Sequence, residues 1–351
     1  MRYRIFGKHT GLRVSELVLG TANFGMAWGG HGATPEEARH IFDTYAGAGG
    51  NFIDTANGYQ DGQSEQFVGD LLTGRRDDFV LSTKFAVKTN ANSGILVTGN
   101  SRQAMVASVE ASLKRLKTDR IDLYWAHVDD GVTPMEEIMR GFDDLVRAGK
   151  ILYAGLSNFP AWRVARAATI AEMRGTLPIA GIQVEHSLVQ RATEQDLISA
   201  AQAFGLGVVA YSPLGGGVLT GKYRTKDTEN RRDQAWGGAG FQPENTPQRS
   251  AIIDTLIAIA TEVRVTPGEI AIAWVAAKGS LPIIGPRTLA QLESNLAAAN
   301  VVLSPGQVAR LDQVSVVPRS YPYTVLDDPR INDLITGGKF DDIDAPLHAM
   351  A

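Results

Sequence analysis

The chain has 351 residues, 44% of them hydrophobic and 21% charged, with a formal net charge of −4. This is the composition of a soluble globular protein with a large core, and it offers no general attraction to nucleic acid or anionic lipid. Cysteine is absent, which excludes disulfides, thiol catalysis and cysteine-held metal centres; with no stretch near the ~18 apolar residues of a membrane span and no signal-peptide core in Met1–Gly20, the expected location is the cytoplasm.

Short β-branched runs alternate with longer amphipathic stretches along the chain. An N-terminal hairpin is predicted from Tyr3–Phe6 and Leu12–Ser15, followed by a strand at Leu17–Gly20. Thr34 then caps a helix, with Pro35 in its first turn and Glu37 at the capping-box position. Strands follow at Asn51–Asp54 and Phe79–Lys84. A helix from Ser101 to Leu116 carries Met105, Val106, Val109, Leu113 and Leu116 at helical spacing. Ile121–His127 and Ile151–Ser157 read as strands, with helix starts after them at Thr133-Pro134 and Phe159-Pro160. Ala180–Glu185 and Gly207–Ser212 come next, and helices Ala251–Arg264 and Pro267–Lys278 lead to an eighth strand at Leu281–Gly285.

Alternation of this kind predicts a parallel sheet, and eight units predict closure into a (β/α)8 TIM barrel. An open, doubly wound sheet is the alternative. The barrel is expected to span 1–317 as one domain, with the hairpin across its bottom and 318–351 as a C-terminal tail over or beside it. Three segments fall outside the pattern: Ala86–Gly99, Pro213–Ser250 and the tail. Loops this long in a compact domain are usually functional, and Pro213–Ser250, with Arg231, Arg232 and Asp233, is expected to act as a flap.

Barrel enzymes build their sites at the C-terminal ends of the strands. Asp54 ends the second predicted strand, Lys84 the third and His127 the fourth, and Tyr59 lies in the loop just past Asp54. Along the fourth strand, Leu123, Trp125 and His127 share one face, while Tyr124 and Ala126 take the other. Each group alone has an ordinary structural reading: a turn cap, a solvated lysine, a core histidine, a loop aromatic. Their coincidence at successive strand ends points instead to a site.

The segments Asp54-Thr-Ala-Asn-Gly-Tyr59, Ser82-Thr-Lys84, Asp122-Leu-Tyr-Trp-Ala-His127, Gly155-Leu-Ser-Asn-Phe159, Tyr211-Ser-Pro-Leu-Gly-Gly and Ile283-Ile-Gly-Pro-Arg287 stand in order along the chain. In these the sequence resembles the aldo-keto reductases, from about Arg4 to Val317. It looks most similar to the broad bacterial groups that also resemble aryl-alcohol dehydrogenases and potassium-channel β subunits. The resemblance implies NADPH-dependent reduction of an aldehyde or ketone. It assigns Tyr59 as general acid, Lys84 as its tuner, Asp54 as the charge partner of Lys84 and His127 as the group that orients the carbonyl. A free tyrosine titrates near 10, and a nearby ammonium is expected to lower that value and ease proton donation.

The NADP(H) cofactor is expected across the tops of the fifth to eighth strands. There Tyr211 would stack on the nicotinamide, and Ser157, Asn158 and Gln183 would hold its carboxamide, with transfer from the pro-R position as the resemblance implies. Ser212, Leu214, Gly217 and Lys222 are candidates for the pyrophosphate. Gly285, Arg287, Gln291 and Asn295 are candidates for the adenosine end, Arg287 for the 2′-phosphate. A solvated surface arginine is the other reading of Arg287. No G-x-G-x-x-G follows the first strand, although Gly20–Gly32 is glycine-rich.

Phe24, Met26, Trp28, Trp125, His186 and the tail residues Tyr321 and Tyr323 are candidate pocket walls for a moderately hydrophobic or aromatic carbonyl compound. Core packing is the alternative for each. Two positions depart from the family pattern: Gln60 follows Tyr59 where glycine is common, and His186 stands where tyrosine or asparagine is more frequent. The expected partner is a small carbonyl or alcohol, with no metal, nucleic acid or membrane. Competing readings are a regulatory subunit that senses bound cofactor and a barrel aldolase with Lys84 as Schiff-base lysine.

Overall fold

A computed structural model describes residues 1–224 and 243–344. Strands β1 (Tyr3–Ile5) and β2 (Arg13–Ser15) form the N-terminal antiparallel hairpin, with Tyr3 opposite Ser15. The barrel strands are β3 (Val18–Gly20), β4 (Phe52–Asp54), β5 (Val80–Phe85), β6 (Ile121–Ala126), β7 (Ile151–Ser157), β8 (Ile179–Glu185), β9 (Gly207–Tyr211) and β10 (Leu281–Ile284). All eight are parallel and close in sequence order, β10 pairing with both β9 and β3. The open-sheet alternative is thereby excluded.

Helices α1 (Pro35–Gly47), α2 (Gln63–Leu72), α3 (Arg102–Leu116), α4 (Met135–Arg147), α5 (Ala161–Arg174) and α6 (Leu197–Ala203) fill the connections up to β9. Thr34 and Glu37 make the expected capping box on α1, and Ser101 caps α3 through Ala104 N. After β9 come α7 (Pro247–Val263) and α8 (Pro267–Ala277), and after β10 come α9 (Leu289–Ala297) and α10 (Pro305–Val314). Helix α7 begins four positions before the predicted Ala251, because Thr246 accepts from Arg249 N and Pro247 opens the first turn. The tail adds α11 (Tyr323–Leu326) and α12 (Pro329–Thr336). The charged part of the predicted flap, Arg231, Arg232 and Asp233, lies outside the described residues.

Alternation along the strands makes two cores. Outward side chains such as Ile53, Leu81, Tyr124 and Leu156 pack against the helices. Inward ones, including Val18, Phe52, Val80, Leu123, Trp125, Val209 and Leu281, fill the barrel floor. The hairpin closes that floor with one ring: Phe6 meets Phe52 and Trp125 edge-on at 6.0 and 6.4 Å. Room for it comes from Gly181 and Gly207, where a Cβ would fall 2.5 Å from the Phe6 ring. Among the described residues no helix is long and apolar enough to cross a membrane.

Candidate active site at the barrel mouth

One pleat above the apolar floor the inward positions turn polar. Asp54 sits at the end of β4, Ser82 and Lys84 on β5, His127 one residue past β6, Ser157 at the end of β7, Gln183 on β8 and Tyr211 at the end of β9. Although β6 ends at Ala126, His127 keeps its register, its N–H donating to Phe85 O at 3.0 Å.

Asp54 is the hub. Its Oδ2 accepts from Lys84 Nζ at 2.6 Å, and its Oδ1 accepts from Ser82 Oγ at 2.7 Å and Gln183 Nε2 at 3.0 Å. Lys84 Nζ also donates to Thr55 O at 2.7 Å and to the Tyr59 hydroxyl at 3.1 Å. All three ammonium protons therefore have acceptors, which a fully buried lysine requires. Burial opposes the Lys84 charge, but Asp54 and Tyr59 outweigh it and hold the amine above its ordinary range. A Schiff-base lysine needs the free amine, so this environment argues against the aldolase reading.

Tyr59 opens a tight turn, Tyr59–Gly62, and its ring stands edge-on to His127 at 6.0 Å and to Trp28 at 6.2 Å. Its pKa corrects the expectation. Burial pushes the phenol above 10; Lys84 pulls it down, Asp54 pushes it up, and the balance stays raised. Lys84 is already shared with Asp54, so only part of its charge acts on the tyrosine. His127 is driven down to about 3 by burial and by the Lys84 charge, so its imidazole is neutral at physiological pH. Its Nδ1 is buried without a hydrogen-bond partner among the described residues.

Of the residues expected around the nicotinamide, Ser157, Asn158 and Tyr211 are joined by hydrogen bonds, whereas Gln183 is held by Asp54. Asn158 adopts a positive φ of 55°, so its side chain folds back: Nδ2 donates to His127 O at 2.9 Å and to Ser157 Oγ at 3.1 Å. Its Oδ1 accepts from the Tyr211 hydroxyl at 2.8 Å. Burial raises the Tyr211 phenol to about 12. Ser212 leaves β9 at φ 55°, and Gly215, Gly216 and Gly217, all at positive φ, form a turn closed by Gly217 N donating to Leu214 O. Lys222 lies in a following turn with Nζ 5.0 Å from the Tyr223 ring centroid.

On the β10 side, Gly285 O accepts from Asn23 Nδ2. Arg287 precedes Thr288, the N-cap of α9; Gln291 reaches back to accept from Arg287 N, and Asn295 is nearly buried on the same helix. The Arg287 guanidinium itself makes no hydrogen bond or ion pair among the described residues.

Several expected wall residues stand elsewhere. Phe24 is fully buried in the core shared with the helices. Trp125, two residues before His127, belongs to the barrel floor, one layer beneath the mouth. His186 has the parity of Ile182 and Val184, so it turns outward, where it meets Glu194 at 2.9 Å and the Trp274 ring at 5.2 Å. Tyr323 bonds Asp196 on the tail side and Tyr321 is 82% exposed. Trp28 remains beside Tyr59, with Met26 exposed on the same loop. Sequence reasoning missed Ser82 as a partner of Asp54 and the Thr55 carbonyl as a partner of Lys84; the inward parity of Ser82, two before Lys84, was the available signal.

A family model described as the aldo/keto reductase family matches residues 16–316. The chain belongs to that family. It is 34% identical over 336 residues to an aldo-keto reductase of Emericella nidulans, covering 92% of this chain and 83% of the relative. It is 35% identical over 345 residues to norsolorinic acid reductase B of Dothistroma septosporum, covering 93% and 84%. The aryl-alcohol dehydrogenase [NADP(+)] of Phanerodontia chrysosporium is 32% identical over 349 residues, covering 93% and 89%. These relatives are fungal, where the sequence resemblance pointed to bacterial groups; the family is the same.

Proposed function

We propose that the chain reduces aldehydes or ketones to alcohols, reversibly, with NADPH as the electron donor. The observation that carries this reading is the Asp54–Lys84–Tyr59 relay, with Lys84 Nζ 2.6 Å from the carboxylate and 3.1 Å from the phenol, beside His127. When bound, NADPH supplies the hydride that reaches the carbonyl carbon. Tyr59 gives its hydroxyl proton to the carbonyl oxygen as negative charge builds there. A raised phenol pKa keeps that proton in place at neutral pH, and the Lys84 ammonium stabilises the phenolate left behind. Neutral His127 offers a ring N–H to the same oxygen.

Residues present at the mouth suit the cofactor. Ser157 and Asn158 present side-chain polar groups beside Tyr211, whose flat face suits a nicotinamide ring, and Gln183 adds an amide next to Asp54. The glycine turn at 215–217 permits close backbone approach by a pyrophosphate. The Arg287 guanidinium, without a protein partner among the described residues and next to the N-terminus of α9, suits a 2′-phosphate, which favours NADPH over NADH. Trp28 beside Tyr59 favours aromatic or moderately hydrophobic carbonyl compounds, in keeping with relatives named for aryl alcohols and norsolorinic acid. Screening aldehydes, ketones and alcohols by NADPH absorbance tests the reading. Multiple turnover with aromatic aldehydes is expected; tight NADPH binding with at most one turnover across the panel would overturn it in favour of a cofactor sensor.

A further inference from the structure

The turn bearing Tyr59 holds a side-chain-bearing residue where glycine would be easier. Gln60 stands at φ 51° and ψ 41°, in the left-handed region, followed by Asp61 at φ 56°. Strain of this kind persists when surrounding contacts over-determine it, and Gln60 has such contacts. It is 2% exposed. Its Nε2 donates to Ala22 O at 3.1 Å, and its Oε1 accepts from Trp28 N at 2.9 Å. One turn on, Gln63 Oε1 accepts from Met26 N at 2.9 Å. Gly25 completes the fit: a Cβ there would fall 2.7 Å from Gln60 Cβ. Three backbone groups of the loop between β3 and α1 are thus tied to the turn that presents the tyrosine and to the first residue of α2.

We propose that Gln60 is a specificity-determining positioning residue: with Gln63 it staples the loop bearing Trp28 to the Tyr59 turn, fixing the indole as a rigid wall that selects aromatic over aliphatic carbonyl substrates. Trp28 stands edge-on to Tyr59, at 6.2 Å and 80°, so the two rings meet at a corner whose indole face offers a flat wall to an aromatic molecule. A wall already held in place loses little freedom when substrate docks, so its contact is retained as affinity. This inference rests on the reductase reading for its substrate class; the staple itself does not.

Gln60→Gly removes the strain and the staple together. Gln60→Asn tolerates the left-handed backbone, but its amide is one methylene too short to reach Ala22 and Trp28. Both variants should fold, exchange amide hydrogens faster within 21–33, and raise KM for benzaldehyde by about three- to tenfold, the size of one aromatic contact. For propanal, kcat and KM should stay within about twofold, since a small aliphatic aldehyde gains little from the indole. Trp28→Ala should reproduce the benzaldehyde effect, and adding Gln60→Gly to it should cost nothing further, because both act through one wall. Unchanged exchange and an unchanged benzaldehyde-to-propanal ratio in both Gln60 variants would overturn the proposal, as would fully additive losses in the double variant. If the parent chain oxidises NADPH with neither aldehyde, the reductase reading fails. The staple is then decided by exchange at 21–33 and by benzaldehyde quenching of Trp28 fluorescence, read against Trp28→Phe.

Discussion

The floor and the mouth of the barrel are made by the same strands, two residues apart. Phe52 lies in the floor and Asp54 in the mouth; Trp125 pairs in this way with His127, Gly155 with Ser157, Gly181 with Gln183 and Val209 with Tyr211. Each strand thus moves from packing to chemistry in one pleat. The floor is an interlocked apolar layer with glycine gaps shaped around Phe6. At the mouth, the polar groups around Asp54 satisfy one another, Asp54 alone taking three side-chain donors. The apolar packing lies below and in the outer helical layer, which leaves the mouth free to hold groups that a core would not tolerate.

The largest expected effect tests the mouth. Tyr59→Phe removes one hydroxyl and leaves the ring that packs on Trp28 and His127, so folding and NADPH binding should survive. Reduction should fall by about 10²–10⁴, the range for a positioned acid. Normal NADPH affinity with turnover within a few-fold of the parent would rule out Tyr59 as proton donor. The floor has the opposite signature. Phe6→Ala should cost about 3–5 kcal/mol of stability, the range for a large aromatic deleted from a core, seen as a lower denaturation midpoint. Turnover per folded molecule should change little; a loss as deep as that of Tyr59→Phe would mean that floor and mouth are not separable.

Most of the barrel was legible because strand alternation and helix caps are local signals. Thr34, Pro35 and Glu37 specify the start of α1 by themselves, and the shared parity of Leu123, Trp125 and His127 matches a structure with the first two in the barrel floor and His127 beside Tyr59. The same parity, applied to His186, would have turned it away from the mouth with Ile182 and Val184. Phe24 misled for another reason: a phenylalanine in a glycine-rich loop reads as a pocket wall, whereas the structure buries its ring fully in the core shared with the helices. Networks were the least visible. The donors on Asp54 come from positions 28, 30 and 129 residues away, and nothing local announces such pairings. The raised pKa of Tyr59 was missed because the motif shows Lys84 but not the degree of burial.

A smaller effect distinguishes the two ends of the cofactor seat. Arg287→Ala should weaken NADPH binding by roughly 1.5–3 kcal/mol, the worth of a charge-assisted hydrogen bond. NADH, which lacks the 2′-phosphate, should bind as before. Titrating both cofactors by fluorescence decides the matter, and equal losses for the two would make Arg287 a structural residue of the α9 cap.

The smallest change is expected from His127 near neutrality, and its sign follows from burial. In the unfolded chain the imidazole titrates near 6.5; in the folded protein it is driven down to about 3. Between those values the unfolded state binds the extra proton, so stability rises with pH across the window. The contribution from neutral His127 is complete above about pH 6.5 and is lost as the pH falls toward 3, at up to about 1.4 kcal/mol per unit. Around pH 7–8 the same group should contribute almost no pH dependence, to stability or to reduction, because it is neutral throughout. Denaturation midpoints of the parent and of His127→Gln, followed from pH 8 to pH 4, provide the measurement. The parent should lose more stability than the variant as acid is added below pH 6.5, and the two curves should run parallel above it. Parallel curves over the whole range would mean that His127 titrates alike in the folded and unfolded chains, and that a neutral, desolvated imidazole is the wrong description of the mouth.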